Sequence, residues 1–102
     1  MFNDTITAIA TSPGSGAIAV IRLSGKESFN IVKKIFIPKK GTLEFKAYTI
    51  RFGTISSDNQ IVDEVLISIF KTPNSYTGED SVEISCHGSL FIQQKILNLL
   101  IK

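Results

Sequence analysis

The sequence has little of what several classes of protein depend on. Its single cysteine excludes an internal disulfide and suits a reducing compartment. Three prolines and seven glycines are too few for a disordered chain. No apolar run approaches the ~18 residues that a membrane span needs, and residues 1–4 lack the basic segment that begins a signal peptide. We therefore expect a cytoplasmic protein that does not contact a membrane.

An excess of charge of one sign is also absent. The 102 residues include eleven basic and nine acidic side chains, a net charge of +2, which predicts neither strong nucleic-acid binding nor attraction to a membrane. Lys33, Lys34, Lys39 and Lys40 cluster weakly, and this pattern favours a solvated helix end and loop over an RNA contact. The length suits one domain with one modest core.

The hydrophobic pattern predicts an α+β fold in the order ββαβββα. We expect strands over residues 5–11, 17–25, 47–56, 62–70 and 81–87, and helices that begin at Ser24 and Ser89. Ser24 and Glu27 have the spacing of a capping box, and Pro38 and Gly41 would end the first helix. Hairpins that alternate with helices predict a mainly antiparallel sheet with the helices on one face.

The last predicted helix is apolar on more than one side. Leu97 and Ile101 would face a partner or another domain, which predicts self-association. The helix also has no stop signal before Lys102. We expect residues 1–102 to be a single domain from a longer protein.

Two motifs were considered as catalytic or phosphate-binding sites. Residues 12–19, "SPGSGAIA", fit a relaxed Gly-x-Gly-x-x-Ala pattern, but a β-prone segment follows where a phosphate loop needs a helix. No Gly-x4-Gly-Lys-Ser/Thr loop is present, so we expect this chain not to hydrolyse GTP. Cys86 and His87 are adjacent on a strand, where their side chains point to opposite faces. That arrangement favours neither a Cys–His pair nor a metal site and places Cys86 in the core.

The polar face of the last strand is the better candidate for ligand binding. Ser81, Glu83, Ser85 and His87 would share it, and Glu83 and His87, roughly 13 Å apart by strand rise, would line one groove without touching. An ordinary solvent-exposed face is the alternative. Arg22 interrupts an apolar strand and needs an anionic partner, in a structural salt bridge or in a ligand.

Three segments carry a resemblance to a known family. They are Asp-Thr-Ile-x-Ala-Ile-Ala-Thr at 4–11, Gly-x-Gly-Ala-Ile-Ala-Val-Ile-Arg-x-Ser-Gly at 14–25, and Ser-Tyr-Thr-Gly-Glu-Asp-x-Val-Glu-Ile-x-Cys-His-Gly at 75–88. Together they resemble the N-terminal domain of the tRNA-modification GTPase family called MnmE or TrmE. The resemblance implies a fold similar to the tetrahydrofolate-binding domain of aminomethyltransferases.

The resemblance also implies a function. Such a domain would form a homodimer and bind a one-carbon tetrahydrofolate, formyl- or methylene-substituted. The full-length family protein is a GTP hydrolase that modifies the wobble uridine of tRNA with an FAD-dependent partner protein. Its potassium and magnesium would belong to a GTPase domain that this chain lacks. The alternative is an assembly module with no small-molecule ligand.

The chemistry of folate suggests which residues would bind it. The pterin edge pairs with a carboxylate, which Glu79, Asp80 or Glu83 would supply. The anionic glutamyl tail needs a cation, Arg22 or Arg51. Ile18, Val20 and Tyr76 would contact the apolar middle of the ligand. Gly78 completes the candidate site.

Overall fold

The computed structural model describes residues 5–10, 16–71 and 79–101, and these ranges form one six-stranded sheet and two helices. The strands are β1 (Ile6–Ile9), β2 (Ile18–Ser24), β3 (Phe36–Pro38), β4 (Thr49–Ser57), β5 (Gln60–Phe70) and β6 (Ser81–His87). The helices are α1 (Ser28–Ile35) and α2 (Leu90–Ile101).

The sheet is antiparallel throughout, with the strand order β1-β2-β6-β5-β4-β3. Strand β6, the last in the chain, lies between the β1–β2 and β4–β5 hairpins and pairs with both β2 and β5. The predicted α+β class and antiparallel sheet are confirmed. Residues 11–15 and 72–78, which include the predicted turn and most of the predicted acidic loop, lie outside the described residues.

The core lies between one face of the sheet and both helices. Along β2, the second half of β5, and β6 from Val82 onward, every second side chain is buried, as the two-residue repeat of a strand requires. Val32 of α1 and Ile96 and Leu100 of α2 belong to the same buried cluster as these strand residues, which confirms that both helices cover one face. Cys86 is 3% exposed in this cluster, as its place in the strand pattern predicted.

The first helix begins later than predicted. Ser24 is the last residue of β2, and α1 starts at Ser28. Glu27 occupies the N-cap without a side-chain capping bond among the described residues, so the predicted capping box is wrong. The Ser28 hydroxyl instead donates to the carbonyl of Gly25 at 2.7 Å and to that of Asp80 at 3.1 Å. These bonds attach the start of α1 to the segment before β6.

Strand β3 was not predicted from the sequence. Phe36 was expected on the apolar stripe of the first helix, but it begins β3 and is buried. A glycine on the neighbouring strand makes this packing possible. A Cβ on Gly53 would overlap the Ile37 carbonyl oxygen and lie 2.6 Å from a ring carbon of Phe36. Gly53 therefore lets β3 and the Phe36 ring approach β4 closely.

Helix α2 begins where it was predicted to begin. The Ser89 hydroxyl accepts a hydrogen bond from the Ile92 amide at 3.1 Å, as an N-cap does. Leu97, which we expected to face a partner, is half-buried against the core, whereas Ile101 is exposed. No helix in the described part of the chain is long and apolar enough to cross a membrane.

Candidate functional site

The face of the sheet away from both helices is the candidate site, and we call it the open face. Its side chains alternate with the core side chains along each strand. The large apolar side chains exposed on it are Ile6, Ile18, Ile37, Ile50, Phe52 and Leu66. A sheet face this apolar is typical of a surface that binds a ligand or another protein.

An ion pair lies near the middle of the open face. Arg22 on β2 and Glu83 on β6 are cross-strand neighbours in the register. The Arg22 Nε donates to Glu83 Oε2 at 2.9 Å, and a terminal nitrogen of Arg22 donates to the same oxygen. The two side chains are 39% and 26% exposed. Of the two roles left open for Arg22, the structure shows the salt bridge.

The acidic residues before β6 lie beside the end of β2. The Ser24 hydroxyl donates to Glu79 Oε1 at 3.3 Å, which holds an exposed carboxylate beside the end of β2. The backbone carbonyl of Asp80 accepts from the Gly25 amide at 2.9 Å. The structure thus brings Glu79 and Asp80 to the strand that carries Arg22. Tyr76 and Gly78, the other candidates in this loop, are outside the described residues.

Two hollows in the open face flank this ion pair. One, of about 220 Å³, lies over β1 and β2 and includes Arg22 and Ser24 in its lining. The other, of about 180 Å³, is lined mainly by apolar atoms and includes Ile18, Leu66 and Phe52. We call them the β1–β2 hollow and the central hollow. An amphipathic ligand that spans both would place its polar part near the carboxylates.

Arg51, the other cation predicted to bind the ligand, contacts backbone carbonyls. Arg51 donates to the carbonyls of Lys40 at 2.8 Å and Thr42 at 3.0 Å, so it holds the segment that follows β3. Its position on β4 places it three strands from Arg22. The two arginines therefore cannot act at one point of a ligand.

A histidine–aspartate pair lies at the rim of the central hollow. His87 Nδ1 is 2.6 Å from Asp63 Oδ1, and the His87 backbone amide donates to Asp63 Oδ2 at 2.8 Å. His87 was predicted on this face from the sequence, and Asp63 was not identified. The available signal was an Asp-Glu pair, Asp63 and Glu64, next to a valine in an otherwise apolar strand, because an acidic side chain that is buried there requires a partner.

The Cys86 thiol is a poor nucleophile at neutral pH. Burial, and secondarily the charge of Asp63, raises the pKa of the Cys86 thiol from 9.0 to about 11. The thiolate, which is the reactive form, is therefore scarce at neutral pH. Within residues 5–10, 16–71 and 79–101, no three His, Cys, Asp or Glu side chains are grouped closely enough to hold a metal ion.

The sequence matches a known family over nearly its whole length. The family model described as "GTP-binding protein TrmE N-terminus" matches residues 5–102. The chain belongs to this family. The TrmE N-terminal match confirms the resemblance that the three sequence segments indicated.

Curated relatives agree with the TrmE assignment. The tRNA modification GTPase MnmE of Bacteroides thetaiotaomicron is 54% identical over 105 residues, which cover 100% of this chain. The proteins of the same name from Flavobacterium johnsoniae and Listeria welshimeri are 52% and 43% identical over 97% of the chain. The chain spans 22% of the length of each of these three relatives.

Proposed function

We infer that this chain is the N-terminal module of a tRNA-modification GTPase, and that it binds a one-carbon tetrahydrofolate on its open face. The observation that carries the folate proposal is the Arg22–Glu83 pair set between two hollows of a largely apolar sheet face. The relatives that support the family role are named tRNA modification GTPases. GTP hydrolysis itself would belong to the part of such a protein outside this chain.

The polar end of the site suits the pterin. A pterin presents an amino group beside a ring N–H, and a carboxylate accepts both in a bidentate pair. Glu79 is exposed and Asp80 half-buried at the end of β2. Glu83 already accepts from Arg22, so its proposed role is to hold Arg22 and the local charge balance. Glu79 and Asp80 are therefore the proposed pterin contacts.

The apolar part of the open face suits the middle of the ligand. Ile18, Leu66 and Phe52 line the central hollow and supply the apolar and aromatic contacts that small-molecule sites use. The ligand would lie across the strands, from the carboxylates of Glu79 and Asp80 before β6 toward β4. This proposal covers formyl- and methylene-tetrahydrofolate, which share the pterin edge and the glutamyl tail.

The test is calorimetric titration of the purified chain with 5-formyl-tetrahydrofolate. Glu79→Gln and Asp80→Asn keep side-chain size and remove charge. The variant that loses the pterin pair should bind about 1.5–3 kcal/mol more weakly, with stability changed by less than ~0.5 kcal/mol. Asp58→Asn is the matched control, because Asp58 lies at the exposed β4–β5 turn with a φ of 53° that asparagine also adopts. Parent-like folate binding by both site variants would refute the proposed pterin contacts.

Assembly is the second candidate function. The six exposed apolar side chains of the open face favour it, because such a face suits a symmetric contact with a second copy. In this role the chain would form the homodimer of a tRNA-modifying protein that also engages an FAD-dependent partner. Sedimentation of the parent and of Ile50→Lys tests it. If the parent is a dimer and does not bind folate, assembly is its function. If the parent is a monomer at high protein concentration, the assembly function is refuted.

A further inference from the structure

A third hollow lies at the β3–β4 edge of the open face, and we call it the edge hollow. It measures about 300 Å³ and is lined by Lys39, Lys40, Ile50, Arg51 and Phe52. Three of these five residues are basic and none is acidic, although the Arg51 side chain starts on the opposite face of β4 from its neighbours Ile50 and Phe52. The hollow therefore combines an apolar and aromatic floor with a basic rim.

The basic residues of this rim were compared with the carboxylates of the described residues. In the described ranges, none of the three forms an ion pair with a carboxylate. The Arg51 guanidinium binds two backbone carbonyls, which are uncharged. The Lys39 ammonium lies 5.5 Å from the centre of the Phe52 ring, a contact that positions the cation without cancelling its charge. An anion is the ligand that such a rim would attract.

The edge hollow continues the proposed folate site. Phe52 lines both the central hollow and the edge hollow, so the two share a wall. From β2 to β3 there are four strand spacings, roughly 19 Å at the usual separation of strands. A folate whose pterin lies near Glu79 and Asp80 would extend its glutamyl end toward this basic rim. Arg22, the alternative cation, is paired with Glu83.

We propose that the edge hollow binds the oligo-γ-glutamate tail of a reduced folate and thereby selects folates with long tails. Each added glutamate brings one more carboxylate, and Lys39 and Lys40 provide the matching charges. This inference rests on the proposed folate function and adds a specificity determinant to it. The ligand class is the polyglutamylated cofactor, in preference to the monoglutamate.

The experiment compares monoglutamyl and pentaglutamyl 5-formyl-tetrahydrofolate by calorimetry on the parent chain. We expect the pentaglutamyl ligand to bind about tenfold more tightly, the sum of about two exposed ion pairs. The preference should fall as salt is raised, because exposed charges are screened. The double variant Lys39→Gln/Lys40→Gln should lose most of the preference, because it should weaken the pentaglutamyl ligand much more than the monoglutamyl ligand.

The matched control is Lys33→Gln/Lys34→Gln, which removes the same charge from exposed positions in the last turn of α1. It should keep the preference for the long tail. Failure of both ligands to bind the parent would refute the folate function, and the tail site with it. Equal binding of both ligands would overturn only the tail site. Loss of the preference in the control variant would also overturn the tail site, because it would show a general effect of positive charge. A short RNA that competes as strongly as the pentaglutamyl tail would overturn it as well, because the hollow would then bind any polyanion.

Discussion

Asp63 binds both the ring and the backbone of His87, with one carboxylate oxygen 2.6 Å from Nδ1 and the other accepting from the amide at 2.8 Å. The two side chains differ in exposure, since that of Asp63 is 9% exposed and that of His87 is 71% exposed. The contact therefore joins a nearly buried acceptor to an exposed ring at the end of β6. Substituting Asp63 should therefore change the stability of the protein by a different amount than substituting His87.

We predict that Asp63→Ala destabilises the protein more than His87→Ala does. Removing Asp63 leaves the His87 amide without its acceptor, at a cost of about 1–3 kcal/mol. Removing the exposed ring of His87 leaves the backbone bond intact and should cost less than ~1 kcal/mol. Urea denaturation of both variants measures the difference. Equal losses would show that the ring contact, and not the backbone bond, carries the stability.

The Arg22–Glu83 pair should show a measurable but modest coupling energy. Its side chains are partly exposed, so solvent screens the attraction, and we expect a coupling of about 1 kcal/mol. The measurement is a double-mutant cycle of Arg22→Ala and Glu83→Ala by thermal or urea denaturation. Additive effects in the double variant would mean that the pair adds nothing to the stability of the fold.

Gly53→Ala should destabilise the β3–β4 pairing. The new methyl group would meet the Ile37 carbonyl and the Phe36 ring, and forced overpacking of this kind costs about 1–3 kcal/mol. Gly16→Ala is the matched control, because the nearest atom to its methyl group is the Ile18 carbonyl oxygen at 3.9 Å. The control should stay within ~0.5 kcal/mol of the parent. A parent-like Gly53→Ala would show that β3 moves away at little cost.

The stability of the protein should depend on the protonation of Cys86 at high pH. The folded-state pKa of about 11 exceeds the ordinary value of 9.0, so the folded protein keeps the thiol proton where the unfolded chain loses it. The contribution is complete below pH 9.0 and is lost as the pH rises toward 11, by about 2–3 kcal/mol. The stability difference between the parent and Cys86→Ala should change by that amount between those pH values. An unchanged difference would contradict the prediction.

The elements with a clear two-residue repeat were predictable from the sequence, and those set by tertiary contacts were not. Strand β6 and the position of Cys86 followed from alternation alone. The start of α1 did not, because Ser24 pairs with Ser81 across the sheet, and this pairing overrides the local capping pattern. Phe36 fitted a helical stripe, but it belongs to β3 because Gly53, seventeen positions away in the sequence, leaves room for its ring.

The sequence predicted which residues belong to the candidate site, but not which of them contact each other. The acidic loop, Arg22 and the polar face of β6 were all identified as candidates. Which carboxylate pairs with Arg22 depends on the register of β2 against β6, a contact across sixty-one positions. The basic rim around Phe52 likewise depends on β3, which the hydrophobic pattern did not reveal. Long-range strand register is the information that a single sequence lacks.

The central place of β6 in the sheet has a consequence for biosynthesis. A ribosome makes the two flanking hairpins first, and until residues 81–87 have emerged, β2 and β5 each have an edge without its final partner. Such edges readily pair with other chains, and their closure by a late, distant strand is slow compared with local contacts. The nascent chain is therefore most prone to aggregation before β6 leaves the exit tunnel, and chaperone protection matters most during that interval.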